Sequence, residues 1–140
     1  MIILDTNVLS ALMRAAPETA VVVWLDRQPA ESIWITSITL FEAHLGVELL
    51  PRGKRQRMLQ AALDQLVTED LGNRVLEFDS SAALEAAGLA AARQKSGRPF
   101  DMRDTQIAGI ALARKAAIAT RNVGHFEDVE VPIVNPWSVP

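Results

Sequence analysis

The apolar positions of the chain switch repeatedly between short unbroken runs and helical spacing. Ile2–Leu4 is an apolar run without polar alternation, the pattern of a strand buried on both faces. A helical stretch is predicted over Thr19–Asp26 and a second strand over 32–35. Ile38, Phe41, Leu45 and Leu49 then recur at helical spacing, and Pro51 closes that segment. A long helix is expected over 54–71, with Gly72 as its stop. Residues 74–78 read as a third strand. Asp79, Ser80 and Ser81 offer a cap for an Ala-rich helix running to about 96, where Gly97 and Pro99 break the chain. A further helix over 102–115 feeds a fourth strand at 117–120, and 131–134 makes a last strand before Asn135 and Pro136. Strands alternating with helices predict an α/β fold: a mainly parallel sheet covered on both faces.

The 140 residues, 49% of them hydrophobic, suffice for one core and are short for two, so a single domain is expected over 1–140. No repeat, low-complexity tract or linker interrupts the pattern. A net charge of -3 excludes the strongly basic signature of many nucleic-acid binders but leaves room for a local basic patch. The absence of cysteine excludes disulfides, thiolate zinc sites and cysteine nucleophiles, so any metal would sit on oxygen or imidazole. Met1 to Asp5 lacks the positive region of a secretory signal, and no apolar run approaches a membrane span. A soluble, cytoplasmic protein with no membrane partner is the expectation.

In an open parallel sheet the functional residues lie beyond the carboxyl ends of the strands. Those positions are Asp5, Thr6 and Asn7 after the first strand, Ser37 and Thr39 after the second, and Thr120, Arg121 and Asn122 after the fourth. Asp5 alone reads equally as a helix cap or a ligand. Glu42 falls between Leu45 and Leu49 on a helical wheel, within the apolar arc, or else closes a capping box from Thr39. Asp104 shares an arc with Ile107, Ala108 and Ala111, with Asp101 placed as the alternative cap. Three carboxylates aimed at one end of a sheet repel unless a cation sits among them. With oxygen ligands that cation is Mg2+ or Mn2+, which polarises phosphoryl oxygens and acidifies bound water. Phosphodiester hydrolysis follows. Arg52, Lys54, Arg55 and Arg57 form a basic run that reads as a solvated helix start or a phosphate guide. With no Tyr, 4 Phe and 3 Trp, little base stacking is expected, and backbone recognition should dominate.

Ile2 to Asn7, the Glu42 helix with Leu45, Gly46 and Val47, the segment Asp104 to Ala108, and Thr120-Arg121-Asn122 together resemble the PIN-domain toxins of the VapC group. Val134-Asn135-Pro136-Trp137 looks most like the FitB branch. The resemblance spans nearly the whole chain. It implies a Rossmann-like α/β/α sandwich, Mg2+ or Mn2+ dependence, and endonucleolytic cleavage of RNA, often tRNA or rRNA. It also implies homodimers and a cognate antitoxin protein whose DNA-binding domain represses the operon of the pair. Asp5, Glu42 and Asp104 match the principal acids, as metal ligands and catalytic residues, and Thr6 matches the hydroxyl residue beside the first. At the fourth position, where relatives commonly carry another acid, this chain has Asn122 and His125. Asn122 can orient water through its amide, and His125 can shuttle a proton or be an ordinary surface histidine. Asp101 can compensate for the missing acid or cap its helix. This departure keeps a second reading open, a catalytically weak PIN domain that binds an antitoxin or RNA. A phosphatase with Asp5 as nucleophile is disfavoured by Asn7 where a second Asp is usual, and by Arg121 where a lysine would be needed.

Overall fold

A computed structural model describes residues 1–138. The elements run β1 (Ile2–Leu4), α1 (Thr6–Leu12), α2 (Thr19–Asp26), β2 (Ile33–Thr36), α3 (Ser37–Glu48), α4 (Lys54–Gln65), β3 (Val75–Leu76), α5 (Ser80–Lys95), α6 (Met102–Arg114), β4 (Ala117–Ala119) and β5 (Ile133–Val134). All strands pair in parallel in the order β3-β2-β1-β4-β5, with Ile2 beside Ile33 and Ile3 beside Ile118. The chain winds outward from β1 to β3, then returns to the other side of β1 to lay down β4 and β5. The order in which strands are laid down therefore switches sides between β1 and β4, and a crevice opens there beyond the strand ends, where open α/β sheets bind ligands.

Alternation along β1 divides the core. Leu4 packs with Val8, Leu9, Ile35 and Leu63 on the face covered by α1 to α4. Ile3 packs with Ile107, Ile110, Ile118 and Phe126 on the face covered by α5 and α6. This is the α/β/α sandwich expected from the alternating pattern. No helix among the described residues is long and apolar enough to cross a membrane.

Three local expectations are corrected. The stripe Ile38-Phe41-Leu45-Leu49 is not the buried face of α3: Phe41 is 55% and Leu49 76% exposed, while Thr39, Ala43 and Val47 are buried. The helix begins at Ser37, capped by Thr36, whose Oγ1 accepts from the Thr39 N–H, so small residues face the sheet. The helix predicted over 54–71 leaves α geometry after Gln65 and widens into a π turn, with the Leu71 N–H donating to the Leu66 carbonyl at 2.8 Å. That turn seats Leu71 in the same core as Leu63. The third and last strands are shorter than predicted. The Phe78 N–H goes to Ser37 Oγ, and the Val131 N–H turns back on Val129.

The Ala-rich helix makes an internal contact, since Ala82 and Ala86 of α5 lie against Gly109 of α6. A Cβ at Gly109 would stand 2.6 Å from both the Ala82 carbonyl oxygen and Ala86 Cβ. Gly109→Ala is therefore expected to destabilise the fold by about 1–3 kcal/mol despite its better helix propensity. Urea denaturation checks this, and an unchanged or raised midpoint would show that the two helices separate cheaply.

Candidate active site

Asp5 follows β1 directly and is only 3% exposed. Its Oδ1 accepts from the Thr6 N–H at 2.8 Å, capping α1. Its Oδ2 accepts from Thr120 Oγ1 at 2.8 Å and Asn7 Nδ2 at 3.2 Å. Cap and site residue are thus one side chain using different oxygens, and Thr120 ties Asp5 across the switch from β1 to β4.

Glu42 does not close a capping box, because Thr36 caps α3. It lies in the second turn of α3, one turn from buried Thr39, and its Oε1 accepts from Thr6 Oγ1 at 2.8 Å. The Thr6 and Thr39 hydroxyls meet at 3.2 Å. Thr6 therefore joins the ends of β1 and β2 and holds Glu42 toward Asp5. At the start of α6 the two acids divide the work: Asp101 Oδ1 accepts from the N–H groups of Arg103 and Asp104, which leaves the Asp104 carboxylate for the site. Asp104 Oδ2 meets His125 Nδ1 at 2.9 Å.

The electrostatics of these acids are shared. Burial, reinforced by the charge of Asp104, raises the Asp5 pKa above its usual 3.8, against the lowering effect of its hydrogen bonds from Thr120 and Thr6 and of the His125 charge. Asp104 is raised by burial and by the charges of Asp101 and Glu42, and His125 works against the shift. Each is a carboxylate that gains from a nearby cation. In the structure Arg103 Nη1 lies 3.6 Å from Glu42 Oε2, and His125 lies on Asp104. Among the described residues no three or more Asp, Glu or His side chains stand close enough together to hold a metal ion as they are placed, so an ion here would take few protein ligands and draw the acids inward. An open set of acids fits Mg2+ or Mn2+, hard ions that retain several waters and take few protein ligands. It does not fit zinc, which favours nitrogen and sulfur in a tight tetrahedron.

Thr6 contacts Glu42, Thr120 contacts Asp5 and His125 contacts Asp104. Asn122 meets none of these acids: its backbone N–H reaches Thr120 Oγ1, while its exposed side chain makes no hydrogen bond among the described residues. Of the two candidates for the fourth position, His125 is the one that meets an acid. The sequence placed Asn7 among the positions beyond β1 but gave it no role, and the structure shows it bridging Asp5, Thr120 Oγ1 and the Arg121 N–H. Its place in the Asp-Thr-Asn run was the available signal. Arg103 was missed, and its position beside Asp104 was the only hint.

Residues 2–131 match the PIN domain family. This chain belongs to that family. Over 137 residues the PIN domain is 39% identical to the VapC ribonuclease Y4jK of Sinorhizobium fredii, covering 98% of each protein. It is 36% identical to the toxin FitB of Neisseria gonorrhoeae over 98% of this chain and 99% of that one. The solved structure of FitAB bound to the IR36 DNA fragment matches it with a TM-score of 0.89 and 34% identity, covering 100% of this chain and 98% of that chain. The PIN domain thus falls in the VapC/FitB group of ribonuclease toxins of type II toxin–antitoxin systems, as the opening and closing motifs had suggested.

Proposed function

We propose that this PIN domain is a toxin that hydrolyses RNA phosphodiester bonds, with Mg2+ or Mn2+ held by Asp5, Glu42 and Asp104. The observation that carries the reading is the placement of these acids at the carboxyl end of the sheet beside its switch, with Asp5 raised by burial and by the Asp104 charge, and Asp104 by burial and by the charges of Asp101 and Glu42. When bound, the ion polarises a phosphoryl oxygen and makes its water a nucleophile near neutral pH. The protein supplies position. Thr120 and Asn7 fix the Asp5 carboxylate, Thr6 fixes Glu42, and Asp101 caps α6 so that Asp104 points inward. His125, hydrogen-bonded to Asp104 and exposed, is placed to accept or return a proton at the site.

The proposed partner is an antitoxin protein, as the name of the FitAB complex suggests for that relative. A groove of about 550 Å³ between α1 and α4, lined by Leu12, Met13, Met58, Leu59 and Ala62 with Arg14 and Arg55 beside them, suits an apolar segment of such a protein. Met13, Arg14, Arg55 and Leu59 also line the cleft that reaches Glu42, so an occupant can extend to the acids. The cytoplasm and a homodimeric state remain part of the proposal.

Purified protein incubated with total RNA is expected to cut it with Mn2+ or Mg2+ and to leave it intact in EDTA. Metal-independent cutting would overturn the metal assignment. RNA retention without cleavage under every metal would instead favour the binding-module reading, for which the replaced fourth acid is the structural reason.

A further inference from the structure

Among the described residues two arginines are stacked on aromatic rings, and both stand at the carboxyl end of the sheet. The Arg103 guanidinium lies 5.2 Å from the centre of the Phe41 ring, and that of Arg121 lies 4.9 Å from the Trp137 ring. Strand order sets them on either side of Asp5. Arg103 reaches Glu42 on the helix that follows β2, whereas Arg121 follows β4 and rests on Trp137 beyond β5.

We propose that Arg103 and Arg121 are two phosphate clamps that seat a single-stranded RNA backbone across the acids. The inference rests on the ribonuclease reading and adds substrate-positioning residues to it. Stacking fixes the plane of a guanidinium and leaves its N–H edge available, the form in which arginine binds phosphate bidentately. Neither side chain makes a hydrogen bond among the described residues, unlike Arg74, Arg93, Arg98 and Arg114, whose guanidinium groups are committed to protein acceptors. Their ion pairs are long, 3.6 Å from Arg103 to half-buried Glu42 and 4.0 Å from Arg121 to Glu18, and both arginines are themselves exposed. Glu18 is already engaged by Trp137 Nε1 at 2.6 Å and by Arg14. Such pairs are weak enough for a phosphate to displace. The need is also plain, because Asp5, Glu42, Asp101 and Asp104 together repel a polyanion. Phe41 and Trp137 act here as supports for arginine, which favours contact with the backbone over stacking of bases.

The test is steady-state cleavage of a labelled single-stranded RNA in Mn2+ across a salt series, using wild type, Arg103→Gln, Arg121→Gln, the double variant and Arg114→Gln. Arg114 sits at the far end of α6, paired with Asp79, and serves as the control. Each clamp variant is expected to raise KM about tenfold while kcat changes far less. Each should also flatten the dependence of log KM on log salt by about 0.7, the signature of one lost phosphate contact on a single strand. Lysine at either position should restore much of the salt slope and little of the affinity, since it keeps the charge and loses the planar fork. Unchanged KM and slope in both glutamine variants would overturn the clamps, as would a rise in KM with no change in slope. Should wild type bind the RNA without cutting it, the same slopes read from Kd by fluorescence anisotropy still decide the clamps, while the ribonuclease reading falls. Absence of both binding and cutting overturns the two together.

Discussion

Asp5→Asn is expected to lower metal-dependent RNA cleavage by more than about 100-fold, beyond the usual cost of losing a group that only supports a metal ligand, and to raise the melting temperature in EDTA. The two effects have one cause. A carboxyl whose folded pKa lies above its unfolded value favours the folded state when protonated, and that advantage disappears as pH rises from the usual 3.8 through the folded value. At neutral pH the protein therefore bears the full cost of an ionised, buried Asp5. Asparagine removes the charge, keeps an oxygen to accept the Thr6 N–H, and is nearly the same size. Added Mn2+ should then stabilise the wild type and leave Asp5→Asn nearly unmoved, because binding to the folded state is what shifts the melt. Thermal melts with EDTA and with Mn2+, read beside cleavage rates, check the pair of effects. A variant less stable than wild type in EDTA would show that the hydrogen bonds from Thr120 and Asn7 to Oδ2, which the asparagine amide nitrogen cannot accept, outweigh the cost of the buried charge.

The layered fold was legible in the sequence because its strands are short, wholly apolar and separated by helix-length segments. Ile2–Leu4 cannot sit half in water, and that alone argues for cover on both faces. Element boundaries were less legible. Phe41 and Leu49 mimic a core stripe, yet the buried positions of α3 are Thr39, Ala43 and Val47, with Leu40 packed beside them, because the helix starts at Ser37 and turns that face inward. The π turn at Leu66–Asp70 left no trace in the pattern, because one extra residue in one turn shifts the period by less than the scatter of apolar positions.

The candidate acids were picked out on different grounds, Asp5 by its place after β1 and Glu42 and Asp104 as charges within apolar arcs, although the arc used for Glu42 is not the buried face of α3, and their partners were another matter. Thr6 lies 36 positions from Glu42, and Thr120 lies 115 from Asp5, so only the closed sheet reveals the pairing. The fourth position shows the same limit. The chain does carry an acid shortly after Asn122, but Asp128 turns to Arg93 at 2.7 Å, and it is His125 that meets Asp104. Nothing in the Ala-rich pattern of α5 announced that an arginine within it would be buried.

Arg93→Met is expected to destabilise the protein by about 2 kcal/mol, the scale of losing the hydrogen bonds of a buried charged donor, since Asp128 itself stays in contact with water and no buried charge is stranded. Arg93 is only 2% exposed, and four of its five guanidinium N–H groups are used: Nε and Nη2 grip both oxygens of Asp128, Nη1 donates to Thr105 Oγ1, and Nη2 also donates to the His125 carbonyl. One side chain thus ties α5 to α6 and to the turn that presents His125 to Asp104. Lysine should not rescue the loss, as a single ammonium cannot reach acceptors set around a planar fork. The pH dependence distinguishes this pair from simple packing. Hydrogen bonding and charge from Arg93 hold the Asp128 carboxyl below its usual range, so its contribution is complete above the unfolded pKa and is lost as pH falls through the folded one. The gap in urea stability between wild type and Arg93→Met should therefore be widest near neutrality and narrow in acid. A gap that stays constant down to the acid limb would assign the loss to the cavity left by the side chain, and the Asp128 pairing would then be incidental. Cleavage should fall along with stability, because the turn that carries His125 loses its anchor. A variant that is destabilised yet fully active at low temperature would show that Asp104 needs no help from that turn.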